Sequence, residues 1–404
     1  MTEVSEEQGR ERSRLGAVLL LAIAQLVSWG SLYYAFALFI EPLERERGWS
    51  RTEVTGALTV GLLATAAASP LAGRLIDRLG GRLPMTGGSL AAALLLLAWS
   101  RVEELPTFYL VWVGLGVAMA FVLYDAVFAL LARTLLQGYR RAVTAITLVA
   151  GFASTVFFPL VHLLIEHLGW RGALVTLAAL NLVVCGAVHF FVPARLGSPL
   201  GGPGSAPRPA PTTVRAAARG RPFWGILVAV VANAMLFAAV TFHLVPLLGE
   251  RGVPLPTIVA AAALVGPAQV GARALLLASE GRLSLRASAL LAATLPLLGT
   301  AVLAAVRPGS LLIWLFPLLY GAGNGMLTIV RATAIVELVS RSSFGAVNGA
   351  IALPALAGTA LAPVAAAHLW KVSGGYESVL AALLGLAVAT LAGFWWATTK
   401  ARPR

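Results

Sequence analysis

Long runs of apolar residues, separated by short polar segments, follow one another along the chain. The runs lack the period-two alternation of a half-buried β-strand, and open sheet edges are excluded from lipid. A helix needs about 20 apolar residues to cross the hydrocarbon core of a bilayer. The pattern therefore predicts an all-α membrane protein with about twelve transmembrane helices. The predicted spans are 15–40, 54–76, 83–100, 106–132, 142–166, 172–192, 223–248, 254–278, 286–306, 310–336, 344–369 and 376–398.

The composition supports this prediction and argues against a soluble protein. Hydrophobic residues make up 59% of the 404 positions and charged residues only 12%, about half of the roughly 25% found in soluble domains. A soluble chain this apolar would be unable to cover its surface. The net charge of +13 comes from short clusters between the apolar runs, so we expect a lipid bilayer and no nucleic acid as a partner.

The distribution of the basic residues predicts the orientation in the membrane. If both termini lie on one side, the segments on that side hold twenty of the 30 Lys and Arg residues, and the opposite side holds eight. The remaining two, Arg273 and Arg331, lie within spans or near their ends. Because basic residues accumulate in cytoplasmic segments, we predict a multi-pass protein with both termini in the cytoplasm.

A polar segment divides the spans into two groups of six. Residues 193–222 are rich in Pro, Gly, Ala and Arg and contain no acidic residue, which is typical of a disordered linker. This cytoplasmic linker separates an N-terminal six-helix bundle, residues 1–192, from a C-terminal six-helix bundle, residues 223–404.

The two bundles also repeat each other in sequence. The stretch from Pro42 to Gly48 recurs from Pro246 to Gly252, where Pro, Leu, Glu, Arg and Gly match at a constant separation of 204 positions. A constant separation indicates duplication. Parallel six-helix repeats, with the substrate site at their interface near mid-membrane, describe one transporter architecture.

The loop after the second span carries a specific pattern. It contains Gly73, Asp77, Arg78, Gly80 and Arg82, spaced as Gly, three residues, Asp-Arg, one residue, Gly, one residue and a basic residue. All five positions resemble the signature loop of the major facilitator superfamily. The resemblance implies that these residues form a gating loop, which controls the conformational change and does not touch the substrate.

Residues 41–51 and 140–159, followed by Gly169-Trp170-Arg171, resemble the first outer loop, the fifth span and its exit in one branch of that superfamily. The branch comprises the bacterial relatives of monocarboxylate and oxalate–formate transporters. In that branch, an arginine that precedes the second signature loop in sequence binds the substrate carboxylate. Arg273 has the corresponding position, because it lies eight residues before Gly281 of the second loop. The resemblance implies an organic-anion transporter in the cell inner membrane.

Charged residues inside spans are costly and are therefore candidates for function. Arg273 follows Gln269 by four residues, so both lie on one face of the eighth span, where a guanidinium can bind a carboxylate through two hydrogen bonds. The alternatives are a structural charge pair and a side chain that extends to the inner surface. Asp125 in the fourth span is a candidate for proton coupling, and its alternative role is a structural partner for Arg133.

Three further side chains form a polar and aromatic stripe on the first span, because Gln25, Trp29 and Tyr33 follow one another at intervals of four. The first span lines the central cavity in the family, so the resemblance implies substrate binding by this stripe. An aromatic stripe at the membrane interface is the alternative. Asn324 in the tenth span shares a face with Arg331 and is a further candidate for substrate binding.

No catalytic motif, metal-ligand spacing or nucleotide-binding loop occurs in the sequence. We therefore expect that the protein is not an enzyme and binds no cofactor or metal. We expect it to draw its energy from an ion or solute gradient. We expect a monomeric secondary transporter that works by alternating access and moves a small organic solute, a monocarboxylate-type anion, by proton symport. Two alternatives stay open: a proton-driven exporter of amphipathic or toxic compounds, and a transporter-like receptor that binds its ligand without moving it.

Overall fold

The computed structural model describes residues 2–135, 137–196, 213–279 and 282–399. Every regular element in these ranges is helical. The chain divides into two compact units: Met1–Thr213 with Arg341–Ala350, and Val214–Ser340 with Ile351–Arg404. Residues 197–212 of the expected linker, and Gly281 of the second loop, lie outside the described ranges.

The first unit consists of long helices joined by short turns. Its helices are α1 (Thr2–Trp29), α2 (Phe36–Arg47), α3 (Arg51–Leu79), α4 (Arg82–Trp99), α5 (Leu105–Val122), α6 (Tyr124–Thr134), α7 (Tyr139–Ala150), α8 (Ala153–Leu180) and α9 (Ala187–Arg195). Two π-helical segments, Gly30–Tyr34 and Asn181–Gly186, lie between these helices. They contact each other, because Asn181 Nδ2 donates a hydrogen bond to Ser31 Oγ at 2.7 Å.

The second unit has the same character. Its helices are α10 (Val214–Ala217), α11 (Arg221–Glu250), α12 (Leu255–Ala263), α13 (Val265–Ala278), α14 (Leu285–Ala305), α15 (Leu312–Ala334), α16 (Phe344–Ser373) and α17 (Tyr376–Thr398). A π-helical segment, Ile335–Val339, follows α15. Residues 344–350 of α16 belong to the first unit and residues 351–373 to the second.

The lengths of the helices confirm the predicted fold class. Eleven segments of the described chain are long and apolar enough to cross a membrane. The longest, Tyr139–Val192, has 54 residues and would extend about 80 Å as a helix, more than twice the roughly 30 Å of the hydrocarbon core. Gly169 interrupts it with φ 69° and ψ 168°. This segment therefore holds two spans, and the total agrees with the twelve that were predicted.

Interruptions of the fourth and eighth spans were not predicted. The eighth is divided at Leu264, close to Pro267, which has no N–H group for the carbonyl four positions earlier. The fourth is divided at Leu123, with φ −81° and ψ −173°, and no proline or glycine lies there. The Val122 carbonyl loses its helical partner at this break and accepts a hydrogen bond from Gln25 Nε2 at 2.5 Å instead.

A buried aromatic core holds α2, α4 and α5 together in the first unit. Its rings are at most 2% exposed, and neighbouring centroids lie 4.7–6.4 Å apart, within the range in which edge-to-face and offset pairs are favourable. The residues of this buried aromatic core are Phe36, Phe39, Trp99, Phe108 and Trp112.

The glycine-rich stretch 321–325 lets α15 pack closely on α13. A Cβ atom at Gly321 would lie 2.6 Å from the Val265 oxygen, and one at Gly325 would lie 2.4 Å from the Gln269 oxygen. No side chain fits between two backbones at this distance, so glycine is required at both positions. The stretch is therefore a packing surface, as close helix contacts in membranes commonly require.

Candidate functional site

Polar side chains of the second unit meet where α13 packs on α15. Arg273 is only 7% exposed. Its Nε donates to the Gly325 oxygen at 3.2 Å, and its Nη2 donates to Gln269 Oε1 at 3.4 Å. These two hydrogen bonds fix the orientation of the guanidinium between α13 and α15.

Two asparagines extend this group to α11. Asn233 Nδ2 donates to Asn324 Oδ1 at 3.2 Å, and Asn324 Nδ2 donates to the Tyr320 oxygen at 2.9 Å. The buried Oδ1 of Asn233 has no hydrogen-bond partner within the described part of the chain. The structure therefore pairs Arg273 with Gln269 and Asn324 with Asn233, and the two pairs reach adjacent residues of α15, Gly325 and Asn324. We call these four residues the polar cluster.

In the first unit, the stripe expected on the first span faces the break in the fourth. Gln25 is fully buried and donates to the Val122 carbonyl, so it stabilises the break itself. The Trp29 ring lies 5.4 Å from the Tyr33 ring and 5.0 Å from the Tyr124 ring, centroid to centroid. Tyr124 was not among the candidates, although it is the first residue of α6 and contacts the stripe directly.

Asp125 lies in the first turn of α6, directly after the break, and is half-buried. A helix N-terminus favours negative charge through its dipole. Arg133 lies two helical turns further on, at the other end of α6, where its Nη2 is 3.5 Å from the Arg78 oxygen. The two residues thus occupy opposite ends of one helix.

The signature loop meets the beginning of α16 inside the first unit. The Asp77 carboxylate accepts hydrogen bonds from the backbone N–H groups of Gly345, at 3.3 Å, and Ala346, at 3.1 Å. These are donors that the first turn of a helix leaves without helical partners. Gly73 allows the approach, because its Cβ would lie 2.2 Å from the Gly345 carbonyl carbon. Gly80 ends α3 with φ 82°, a value that favours glycine.

Arginines of the signature loop and its surroundings have partners in the same unit. The Arg82 guanidinium lies 4.0 Å from the centroid of the Phe190 ring, a cation–π contact. Arg78 contributes its backbone oxygen to Arg133. Arg341, which precedes α16, donates to the Leu135 oxygen.

Two of the family-like stretches, residues 41–51 and 169–171, meet at Glu46. Trp170 Nε1 donates to one carboxylate oxygen, and Arg171 Nη1 donates to the other at 2.5 Å. The hydrogen bond from Trp170, followed by that from Arg171, holds the pKa of Glu46 below its ordinary value of 4.5. The equivalent residue of the second unit, Glu250, accepts from Trp370 Nε1 at 2.8 Å, so the repeat extends to side-chain contacts.

Long apolar helices in two repeated units, with a cation and amides buried among them, define a polytopic membrane transport protein. The model of the Major Facilitator Superfamily matches residues 21–326. This match covers well over half of the sequence, so the chain belongs to the Major Facilitator Superfamily. Membership of this superfamily indicates a transporter.

Solved structures of this superfamily share the fold over nearly the whole chain. A variant of the E. coli fucose:proton symporter FucP superposes with a TM-score of 0.68 at 13% identity, covering 95% of this chain and 98% of its own. The human organic anion transporter MFSD10 gives a TM-score of 0.67 at 17% identity, covering 96% and 99%. At these identities the likeness concerns the fold alone.

Curated relatives confirm the expected likeness to monocarboxylate transporters. Monocarboxylate transporter 13 of Bos taurus is 32% identical over 192 residues, which are 46% of this chain and 42% of that protein. Monocarboxylate transporter 13 of Rattus norvegicus is 32% identical over 174 residues, 42% of this chain and 38% of that protein. The chain thus spans about two fifths of the length of these relatives.

Proposed function

We propose that this protein is a secondary active transporter that moves a small organic anion of the monocarboxylate type together with protons, by alternating access. The observation that carries the proposal is the buried Arg273 of α13. A cation among apolar helices is costly unless an opposite charge or hydrogen bonds stabilise it. The planar guanidinium matches the geometry of a substrate carboxylate, which it can bind through two hydrogen bonds. The names of the curated relatives support the same substrate class.

The other members of the polar cluster support a small polar substrate. Gln269 and Asn324 carry amides that both donate and accept hydrogen bonds, and Asn233 has a buried oxygen without a partner within the described residues. A hydroxyl or keto oxygen next to a carboxylate matches such groups. The proposal therefore assigns carboxylate binding to Arg273 and binding of the adjacent polar group to the amides.

Proton coupling is assigned to Asp125. Non-helical backbone at membrane depth is tolerated where it is buried in protein or lines a cavity, and Asp125 follows the break at Leu123. A carboxylate at such a break can exchange a proton as the transporter changes conformation. The Asp125→Asn variant should retain exchange of labelled substrate across the membrane but lose accumulation driven by a proton gradient.

The distribution of basic residues described above supports a multi-pass protein of the cell inner membrane with both termini in the cytoplasm. The proposal takes the monomer as the transporting species, because each chain carries both six-helix repeats. Chemical labelling of single cysteines placed at either terminus of the protein in right-side-out vesicles tests the orientation. Labelling by an impermeant reagent would contradict cytoplasmic termini.

The experiment that tests the transport proposal uses the full chain in proteoliposomes with pyruvate and acetate as probes. The Arg273→Gln variant removes one positive charge from the polar cluster, and Arg286→Gln removes one from an exposed position. We expect Arg273→Gln to weaken pyruvate binding about tenfold or more, because hydrogen bonds to charged groups contribute about 1.5–3 kcal/mol. The Arg286→Gln control should bind and transport like the unchanged protein.

Three results would redirect the proposal. Equal effects of the two arginine substitutions would make Arg273 a structural residue. Binding of lipophilic compounds alone, unaffected by Arg273→Gln, would favour an exporter of amphipathic compounds. Binding of pyruvate without uptake into the liposomes would favour a receptor.

A further inference from the structure

A histidine near the end of α11 connects three helices of the second unit. His243 Nδ1 lies 2.9 Å from the hydroxyl oxygen of Tyr376, the first residue of α17, and its Nε2 lies 2.9 Å from the Pro363 oxygen of α16. The imidazole is half-buried, and its ring lies 5.8 Å from the Tyr376 ring, centroid to centroid. Both ring nitrogens therefore have a partner, and the two partners lie on different helices.

These two partners determine where the proton of the neutral imidazole lies. A backbone carbonyl only accepts hydrogen bonds, so the Nε2–H group donates to the Pro363 oxygen. Nδ1 is then the acceptor, and the Tyr376 hydroxyl donates to it. Both ring nitrogens of neutral His243 are thus hydrogen-bonded, and no water is needed to satisfy either of them.

The same arrangement takes up a proton without losing either contact of His243. Protonation at Nδ1 turns this nitrogen into a donor, and the Tyr376 oxygen can accept from it, because a phenol group both donates and accepts. The Nε2–H group keeps its bond to the Pro363 oxygen. Histidine is the side chain whose charge ordinarily changes between about pH 5 and 8. The hydrogen-bonding pattern therefore suits a residue that binds and releases protons.

The other buried histidine of the chain lacks these properties. His189 in the first unit is fully buried, and its Nδ1 lies 2.7 Å from Ser89 Oγ. Its Nε2 has no hydrogen-bond partner within the described residues. A proton from water has no exposed route to such a side chain, whereas His243 keeps part of its surface accessible.

An exposed carboxylate lies at the same end of the second unit. Glu250, the last residue of α11, is exposed and accepts a hydrogen bond from Trp370 Nε1 at 2.8 Å. The Trp370 ring lies 6.2 Å from the Tyr376 ring, and the charge of Glu250 acts on the Tyr376 hydroxyl. A negative charge at this place favours the positive form of His243.

The remaining charged groups around His243 form a pair, face solvent or lie further away. Arg251 Nη2 lies 2.9 Å from Glu377 Oε1, so these two charges balance each other. His368 and Lys371 of α16 are exposed. Helix α12 carries no charged residue, and the basic residue of α15, Arg331, lies in its last turn. The carboxylate at the end of α11 is therefore the charge that we expect to influence His243 most.

We propose that His243 is a proton-binding residue of the transport cycle, in addition to Asp125, and that Tyr376 and Glu250 connect it to water. A proton from water at Glu250 adds to the Tyr376 oxygen as the hydroxyl proton of Tyr376 moves to His243 Nδ1. Release follows the same steps in reverse. This inference rests on the proposed function, because it concerns the protons that move with the anion.

The transport test uses the full chain in proteoliposomes, with labelled pyruvate as the probe and protein-free liposomes as the baseline. The His243→Gln variant keeps an N–H donor for the Pro363 oxygen but takes up no proton. It should exchange labelled pyruvate like the unchanged protein and lose accumulation driven by a proton gradient. His368→Gln, at an exposed position of α16, should retain both activities.

Two results of this test would count against the inference. Full accumulation by His243→Gln would overturn it and leave the assignment of proton coupling to Asp125 standing. An unchanged protein that never accumulates pyruvate in response to a proton gradient would overturn both proposals of proton binding.

Nuclear magnetic resonance of the full chain with isotope-labelled histidine, in lipid nanodiscs, tests the site even if His243→Gln fails to fold. The chain has five histidines, and the signal of His243 is the one that Tyr376→Phe should displace most. We expect this signal to show a proton on Nε2 in the neutral form and to change to the protonated form between about pH 8 and 5. Glu250→Gln should move that change to lower pH, because it removes a favourable negative charge. A His243 that stays neutral down to about pH 5 would overturn the inference, and an unaltered change in Glu250→Gln would overturn the connection through Glu250.

Discussion

Replacing Gly325 by alanine tests whether close packing of α13 on α15 positions Arg273. The new Cβ atom would lie 2.4 Å from the Gln269 oxygen and 2.8 Å from its Cα atom, and backbone atoms are unable to rotate away. Ordinary contact begins near 3.4 Å, so the two helices must separate locally by about 1 Å. The Gly325 oxygen is the acceptor for Arg273 Nε at 3.2 Å, and the same movement would stretch this hydrogen bond beyond useful length.

The expected loss of unfolding free energy in Gly325→Ala follows from two destabilising contributions and one stabilising contribution. Overpacking costs about 1–3 kcal/mol, and a weakened hydrogen bond to a charged group costs about 1 kcal/mol more. Alanine in place of glycine within a helix gains about 1 kcal/mol, so the net loss is about 1–3 kcal/mol. Gly271 on α13 provides a matched control, because a Cβ there meets nothing within 4 Å and Gly271→Ala should therefore be neutral or stabilising.

Chemical unfolding of the two purified variants in detergent, followed by circular dichroism, measures the free energies, and pyruvate binding measures the state of the polar cluster. Gly325→Ala should lower both the stability and the affinity, while Gly271→Ala should lower neither. Comparable stability of the two variants would refute the packing argument. Normal pyruvate affinity in a destabilised Gly325→Ala protein would refute the link between packing and Arg273.

The signature loop and Glu46 give three more predictions. The Asp77→Asn variant should lower the free energy of unfolding by about 1 kcal/mol, because it loses the charged acceptor at a helix N-terminus; an unchanged unfolding midpoint would contradict that role. The Gly73→Ala variant should unfold more easily and take up pyruvate more slowly, because its Cβ would lie 2.2 Å from the Gly345 carbonyl carbon, and full uptake would argue against it. The pKa of Glu46 is lowered in the folded protein by Trp170 above all, so its stabilisation is present above pH 4.5 and is lost as the pH falls below that value. Thermal midpoints measured at successively lower pH should therefore fall less steeply in Glu46→Gln than in the unchanged protein. Identical slopes in the two proteins would be evidence against this contribution.

The fold class was predictable because bilayer thickness sets the length of every apolar run, and run length can be read from one chain. The breaks were not predictable in the same way. Pro267 is a local signal for the interruption at Leu264, although hydropathy alone passes over it. Leu123 has no local signal, because the group that stabilises its break is Gln25, 97 positions away from Val122.

The contacts of the polar side chains also divide into those that spacing along one helix predicts and those that depend on residues distant in sequence. Helical spacing places Gln269 and Arg273 on one face, and their side chains are within hydrogen-bond distance. The proximity of Arg273 to Asn324 depends on how two separate helices pack, which spacing within one helix leaves open. Spacing also placed Gln25 and Trp29 on one face, but gave no indication that Gln25 is engaged with backbone and Trp29 with rings.

Each unit places its candidate chemistry within two turns of an interrupted helix, at Leu123 before Asp125 and at Leu264 before Gln269. In hydrocarbon an unsatisfied backbone group costs several kcal/mol, and at Leu123 the Gln25 side chain removes this cost by donating the missing hydrogen bond. At Leu123 the polar side chain of Gln25 therefore stabilises the irregular backbone, next to the residue that we propose for proton coupling. Replacing Gln25 by leucine would keep the apolar run and the predicted span intact, yet it would remove the donor that holds the break. Hydropathy does not register this difference, because it counts apolar residues and not the hydrogen bonds that a break requires.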